Sequence, residues 1–390
     1  MPVGLFGTMS TPASVEDRRA NPGDSVSTTL LNISGITVTV FGVDELPSKS
    51  TEVACLWLLH PRLQTQECMK PFAVSAIQHW NKRVLGGDSS ASLSRRASSD
   101  EGAGDNSTYR HNQGSLTGKR GLIAVSFDQR NHGSRQMDPL ANEAWRGHGG
   151  KNPRHAQDLF SQIHGNAADT SILLDYLPPY LFPDGSLQIV QNLVFGVSLG
   201  GHAAWHVLLR EPRVTAGIIG IGCPDYVRLM TDRARLSKLA DWDADRPSNF
   251  IGSKSFPSSL LAVVRRFDPA GLIAGDLRNS DSGESILVTT DHDKETVSKR
   301  LDDTLRGKRI LSLSGSIDKF IPYKCSKPFL DLLKDATSTY YSYGGIVFQN
   351  MIFDQVGHGI SADMINEMTR FVAESIEVNI RDVEARQVKT

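Results

Sequence analysis

An apolar run, Ile189-Val190-Gln191-Asn192-Leu193-Val194-Phe195, leads into Gly196-Val197-Ser198-Leu199-Gly200-Gly201 and then into the helical stretch His202-Ala203-Ala204-Trp205-His206-Val207-Leu208-Leu209. This reads as strand, tight turn and helix with no linker, and it restricts the fold more than any other feature. A serine at the tip of such a turn takes strained backbone dihedrals, and its flanking glycines are needed because side chains there would strike the neighbouring strand and helix. A glycine-rich turn holding a passive serine would carry the same letters. The rest of the chain has to decide between the two.

Around this turn, short β-branched or apolar runs alternate with longer helical patterns. Strands are expected near 29–41, 52–59, 121–127, 189–195, 214–221, 309–314 and 345–353, and helices near 70–84, 154–177, 200–210, 326–335 and 361–378. Such alternation predicts an α/β fold, a mostly parallel central sheet with helices on both faces. Residues 1–26 are too polar to bury a core and read as a disordered N-terminal arm, and 27–380 as one domain followed by a tail over 381–390. Within the domain, 86–119 is poor in large apolar side chains and reads as a disordered insertion. The stretch 226–305 separates two strands by more than an ordinary connection and reads as a helical lid, or cap, insertion.

Composition excludes some partners. With 42 basic and 43 acidic residues the formal charge is −1, which gives no long-range field to draw in nucleic acid or an anionic membrane. A small, weakly charged partner is expected. No run reaches the length of a membrane span, and the N-terminal Met1-Pro2-Val3-Gly4-Leu5-Phe6 lacks the pattern of a signal peptide. The four cysteines, Cys55, Cys68, Cys223 and Cys325, show no CxxC spacing and read as reduced thiols of a cytoplasmic protein.

An alcohol is a poor nucleophile near neutral pH, so Ser198 would need a base within hydrogen-bond reach and the base a carboxylate to fix its tautomer. Asp318 follows the apolar strand Ile310-Leu311-Ser312-Leu313-Ser314 in Gly315-Ser316-Ile317-Asp318-Lys319-Phe320-Ile321-Pro322. His358 lies in Val356-Gly357-His358-Gly359, just before the last helical pattern. Ends of parallel strands face one crevice, so Ser198, Asp318 and His358 are expected to converge there. Asp225, in Gly222-Cys223-Pro224-Asp225-Tyr226, and Asp354 are alternative acids.

The order Ser, Asp, His, with GVSLGG at an elbow, GSIDKFIP at the acid and VGHG at the base, resembles the α/β-hydrolase superfamily over roughly 28–380. Phe127-Asp128-Gln129-Arg130-Asn131-His132-Gly133-Ser134 is similar to the D-x-R-G-x-G-x-S segment of many esterase- and lipase-like members, with Asn131 and Arg135 in place of the usual glycine and serine. A serine at the elbow sets the chain apart from epoxide hydrolases and haloalkane dehalogenases, which place an aspartate there. The resemblance implies a cofactor-independent serine hydrolase, acting on a small-molecule ester or acyl substrate. Peptidase or thioesterase chemistry uses the same machinery, and a non-catalytic ligand binder would keep the same fold.

Such an enzyme also needs backbone N–H groups aimed at the oxyanion. Leu199 N–H is one. Where family members often have His-Gly after an early strand, this chain has His60-Pro61-Arg62-Leu63; Pro61 has no N–H, which leaves Arg62 as the second donor and Leu63 as the fallback.

Other motifs have bland readings beside their sharp ones. His202 and His206 are spaced to share a zinc, but no HExxH glutamate accompanies them and a helix behind an elbow is normally buried, so no metal is expected. His132 reads as a support for the Asp128 turn or as a substrate contact. Arg95-Arg96-Ala97-Ser98 has the form of a basophilic kinase site or of a solvated linker. The glycines of Ala216-Gly217-Ile218-Ile219-Gly220-Ile221-Gly222 run in the wrong order for a dinucleotide fingerprint, so no nucleotide cofactor is implied. Met230, Leu260, Val264 and Phe267 are candidates to line an apolar acyl pocket or to pack as core.

Overall fold

Runs rich in Val, Ile and Leu assemble into one eight-stranded sheet in the computed structural model, which describes residues 26–97, 120–146, 151–242, 247–277 and 286–387. The strands are β1 (Thr28–Ile33), β2 (Ile36–Phe41), β3 (Glu52–Leu59), β4 (Arg120–Phe127), β5 (Gln188–Val197), β6 (Val214–Gly220), β7 (Arg309–Gly315) and β8 (Val347–Phe353). They lie side by side in the order β1-β2-β4-β3-β5-β6-β7-β8. From β4 to β8 every pairing is parallel; β2 runs antiparallel to both of its neighbours. The single strand expected over 29–41 is instead a hairpin. Ser34 and Gly35 both have positive φ, 53° and 78°, which suits the two-residue turns that match strand twist.

The helices are α1 (Lys70–Ala97), α2 (His155–Leu181), α3 (Leu199–Arg210), α4 (Tyr226–Ser237), α5 (Ser258–Phe267), α6 (Pro269–Ile273), α7 (Asp291–Thr304), α8 (Tyr323–Ser338) and α9 (Ala362–Gln387). β3 shows how the sheet is covered on both sides. Val53, Cys55, Trp57 and Leu59 join the core formed with α2, α3 and α8, while Ala54, Leu56 and Leu58 join the one formed with α1 and α9. This two-residue alternation, apolar on both faces, is what a central parallel strand requires.

A third apolar cluster lies over the carboxyl ends of the strands. Leu229 and Met230 of α4 and Leu260 and Val264 of α5 pack there with Trp145, Phe160, Phe250, Phe256, Leu199 and Ile321. Met230 and Val264 are thus buried packing residues, and Phe267 stacks on His164 with ring centroids 4.1 Å apart.

Three expected boundaries shift. Helix α1 continues to Ala97, so 86–97 is helical rather than disordered; two glycines cost a helix only about 1 kcal/mol each, and the Ala, Leu and Arg residues beyond them are good helix formers. Ser98 and the rest of that insertion lie outside the described residues, as do 1–25. The second half of 226–305 belongs to the main domain, because Val297 and Leu301 of α7 and Ala270 and Ile273 of α6 are buried in the sheet's own core. Helix α9 runs to Gln387, past the helix end expected at 378 and the domain end expected at 380. No helix among the described residues is long and apolar enough to cross a membrane.

Trp205 on α3 is fully buried and meets Phe329 of α8 edge-on at 5.8 Å between centroids. Trp205→Ala is expected to cost about 3–5 kcal/mol, read as a lower urea midpoint at an unchanged slope.

Candidate active site

Ser198 sits between β5 and α3 with φ 56° and ψ −110°, outside the regions an L-residue ordinarily occupies. The glycines around it are dictated by backbone contact. A Cβ on Gly196 would lie 1.9 Å from the Gly200 carbonyl oxygen, one on Gly200 2.0 Å from that of Leu59, and one on Gly201 2.6 Å from that of Gly220. No substitution can be absorbed by moving a flexible side chain. The elbow is therefore wedged between the ends of β3 and β6, and the Ser198 N–H is held by the Gly220 carbonyl at 2.9 Å.

Asp318 and His358 arrive from the loops after β7 and β8. Ser198 Oγ lies 3.0 Å from His358 Nε2, and His358 Nδ1 lies 2.8 Å from Asp318 Oδ2. With Nδ1–H donating to the carboxylate, Nε2 is left to accept the serine proton. The second carboxylate oxygen, Oδ1, accepts the Phe320 and Ile321 N–H groups at 2.8 and 2.9 Å, so both oxygens of this buried acid are engaged. The loops are also tied to each other: Ser316 N–H donates to Phe353 O and Ile317 N–H to Val356 O. A Cβ on Gly315 would lie 2.3 Å from Val356 O and 2.7 Å from Gly357 O, so the loop carrying His358 lies directly on that glycine.

The β3 and β4 loops flank the elbow. His60 is fully buried; its Nδ1 faces Pro61 O at 2.8 Å and its Nε2 accepts the Gln129 N–H at 2.9 Å, while the Gln129 side-chain amide donates to His60 O. This pins the start of the His60-Pro61-Arg62-Leu63 loop. Leu63 has φ 63°, and the Arg62 side chain donates from Nη1 to Asn142 O at 2.7 Å. Asp128 accepts from Gln66 N–H, Ser134 N–H and Ser134 Oγ, and these bonds draw its carboxyl below its ordinary pKa against the opposing effect of burial. Arg130 forks onto Asp169 at 2.8 and 3.0 Å. His132 Nδ1 meets Arg130 O within this turn.

The alternative acids are occupied elsewhere. Asp225 is buried, caps α4 by accepting the Arg228 N–H at 2.9 Å, and forms an ion pair with the Arg228 guanidinium. Asp354 accepts from Ser316 Oγ at 3.1 Å. His202 Nδ1 lies against the Cys223 backbone, 2.9 Å from its N–H, and burial pushes its pKa down to about 3; His206 packs edge-on to Phe160. Arg233 was not singled out in the sequence, where a lone arginine on an amphipathic helix reads as a solvated charge. It donates to Phe320 O at 3.3 Å, beside the Asp318 loop.

No family model matches the chain, and no curated protein matches it. Solved structures of similar shape include TT1662 from Thermus thermophilus, 14% identical with a TM-score of 0.49, covering 90% of this chain and 99% of that one. The Pyrococcus furiosus esterase Pf2001 is 11% identical with a TM-score of 0.40, covering 92% and 95%. Porphyromonas gingivalis dipeptidyl peptidase 4 is 13% identical with a TM-score of 0.42; 90% of this chain aligns with 35% of that longer protein.

Burial pushes His60 down to about 4 from its ordinary 6.5. Between those values the unfolded chain takes up a proton that the folded protein refuses, so this group's contribution to stability falls as pH drops from 6.5 towards 4, by on the order of 3 kcal/mol in total. Urea denaturation at steps between pH 7 and pH 4.5 should show stability falling with pH, and His60→Asn should flatten the slope. Equal slopes for the two proteins would mean that His60 titrates normally in the fold.

Proposed function

We infer from the α/β-hydrolase fold of this chain, and from the hydrogen-bonded series Ser198, His358 and Asp318, that it is a serine hydrolase acting on carboxylic esters. The observation that carries this reading is the pair of short contacts on the two sides of one imidazole, 3.0 Å to Ser198 Oγ and 2.8 Å to Asp318 Oδ2. His358 Nε2 takes the hydroxyl proton as Oγ attacks the ester carbonyl, and Asp318 holds the imidazolium that forms. Collapse of the tetrahedral intermediate passes that proton to the departing alcohol and leaves an acyl-serine. Water enters next; His358 takes its proton, the hydroxide adds to the acyl carbon, and the carboxylic acid leaves as Ser198 regains its hydrogen.

In this reading the Leu199 and Arg62 N–H groups hold the oxyanion. Leu199 opens α3 directly after the nucleophile, where the first N–H groups of a helix have no intrahelical acceptor. Support for Arg62 comes from the closeness of its loop to the elbow, since the position of a Gly200 Cβ would be only 2.9 Å from His60 O. The segment carrying α4 and α5 serves as a cap, excluding water from the site and strengthening the charge interactions within it. Four unpaired cysteines support a reducing, cytoplasmic setting.

Hydrolysis of p-nitrophenyl acetate, butyrate and octanoate, with fluorophosphonate labelling, tests the reading. Wild type is expected to turn over and to label. Ser198→Ala should lose both, and Asp318→Asn should fall by about 10⁴ in turnover while remaining folded, because the wrong imidazole tautomer is then favoured. A folded wild type that neither labels nor hydrolyses any of the three esters would point to a ligand binder instead. Gly315→Ala should lower turnover about 10²-fold by displacing the His358 loop, with circular dichroism showing an intact fold.

A further inference from the structure

Two guanidinium groups, that of Arg233 beside the Asp318 loop and that of Arg62 in the loop after β3, have no carboxylate of their own among the described residues. Arg233 on α4 donates to Phe320 O at 3.3 Å, and its Nη1 lies 3.2 Å from His155 Nε2. Phe320 O shares its peptide group with the Ile321 N–H, which donates to Asp318 Oδ1 at 2.9 Å, and the Phe320 ring centroid lies 5.2 Å from that of His358, which puts Arg233 one peptide group away from the triad. Arg62 approaches from the β3 loop and donates to Asn142 O; the next carbonyl, Glu143 O, meets His155 Nδ1 at 3.0 Å. Arg62, Asn142, Glu143, His155 and Arg233 thus form one continuous path beside the elbow.

Both cations are under-partnered. Among the described residues neither stands within ion-pair distance of a carboxylate, whereas Arg120, Arg130, Arg213, Arg228 and Arg370 each do. A guanidinium carries five N–H donors. Arg62 uses one of them and Arg233 two, and every acceptor is neutral. His155 is no counter-ion: burial and the charges of Arg233 and Arg62 hold its pKa well below the ordinary value. Arg62 is itself pushed down to about 10, by burial first and by Arg233 next. The acids nearest in effect are Glu143, which faces Arg62 beyond ion-pair distance, and Asp318, whose oxygens serve His358 and the backbone. Two like charges held half-buried with spare donors fit an oxyanion, which paired guanidinium forks bind well.

We propose that Arg62 and Arg233 together bind an anionic group of the substrate, a carboxylate or a phosphate, so that the natural ester ends in an acid. This rests on the serine-hydrolase reading and replaces the weakly charged substrate expected from composition. Net charge describes the whole surface; two arginines at one site escape it.

The first arm compares p-nitrophenyl hemiglutarate with p-nitrophenyl valerate. Wild type should prefer the anionic ester by at least about tenfold in kcat/KM, as charged hydrogen bonds allow, and Arg233→Met should remove the preference. If Arg233→Met does not fold, Arg62→Met carries the same comparison. The second arm needs no turnover. Calorimetry on Ser198→Ala should detect monomethyl glutarate or methyl phosphate, whichever group the site takes, with about tenfold weaker binding after Arg233→Met is added. A wild type that prefers valerate, or a Ser198→Ala protein that binds neither anion, overturns the proposal even if ester hydrolysis is robust. An inert wild type whose Ser198→Ala form still binds an anion through Arg233 counts against the hydrolase reading and leaves the anion site standing.

Discussion

Backbone packed directly against backbone fixes this site. Gly200 lies so close to the Leu59 carbonyl, and Gly196 to the Gly200 carbonyl, that even one carbon added to either would overlap a main-chain atom. Main chain cannot step aside as a side chain can. The register of β5, the first turn of α3 and the ends of β3 and β6 are therefore set together. Ser198 is left with a positive φ, a conformation worth of order 1–3 kcal/mol of strain that the surrounding structure has to sustain. The same constraint brings the His60 loop beside the serine, because its starting carbonyl is the one that Gly200 touches.

Parallel strands supply the remainder of the constellation. Because β5, β7 and β8 point the same way, the loops that leave them open on one edge, and residues separated by 40 and 160 positions meet through one imidazole. Direction alone would place them only roughly. The final positions come from loop-to-loop bonds, from the Phe320 and Ile321 N–H groups on Asp318, and from the contact of Gly315 with Val356 and Gly357.

Charge around the site follows from burial. His60, His202 and His155 are all enclosed and held neutral, each engaged by backbone groups. Asp128 keeps its charge by spending its oxygens on two N–H groups and a hydroxyl. The segment carrying α4 and α5 joins this edge through apolar packing: Leu199, next to Ser198, and Ile321, whose N–H donates to Asp318, lie in the same cluster as Tyr226, Met230 and Val264. That packing brings Arg233 to the Phe320 carbonyl.

The sequence by itself determined the alternation of strands and helices, the elbow, and the three residues that now lie in hydrogen-bond contact, because period, glycine placement and chain order are local properties. It did not determine where α1 and α9 end, since fraying depends on small differences in propensity, nor the Ser34-Gly35 turn within an otherwise continuous β-forming run. Tertiary structure alone decided that Asp225 caps a helix while Asp318 reaches the imidazole, for both follow a parallel strand and only the loop's path separates them. It also decided which half of 226–305 lies over the elbow. Both halves carry amphipathic helices, and the difference is whether the apolar face meets the sheet, as Val297 and Leu301 do, or the strand ends, as Met230 and Val264 do. Arg233 is the clearest case. Nothing local distinguishes it from Arg235 two residues on, which pairs with Asp232; the fold alone turns one guanidinium to the Phe320 carbonyl and the other to that carboxylate.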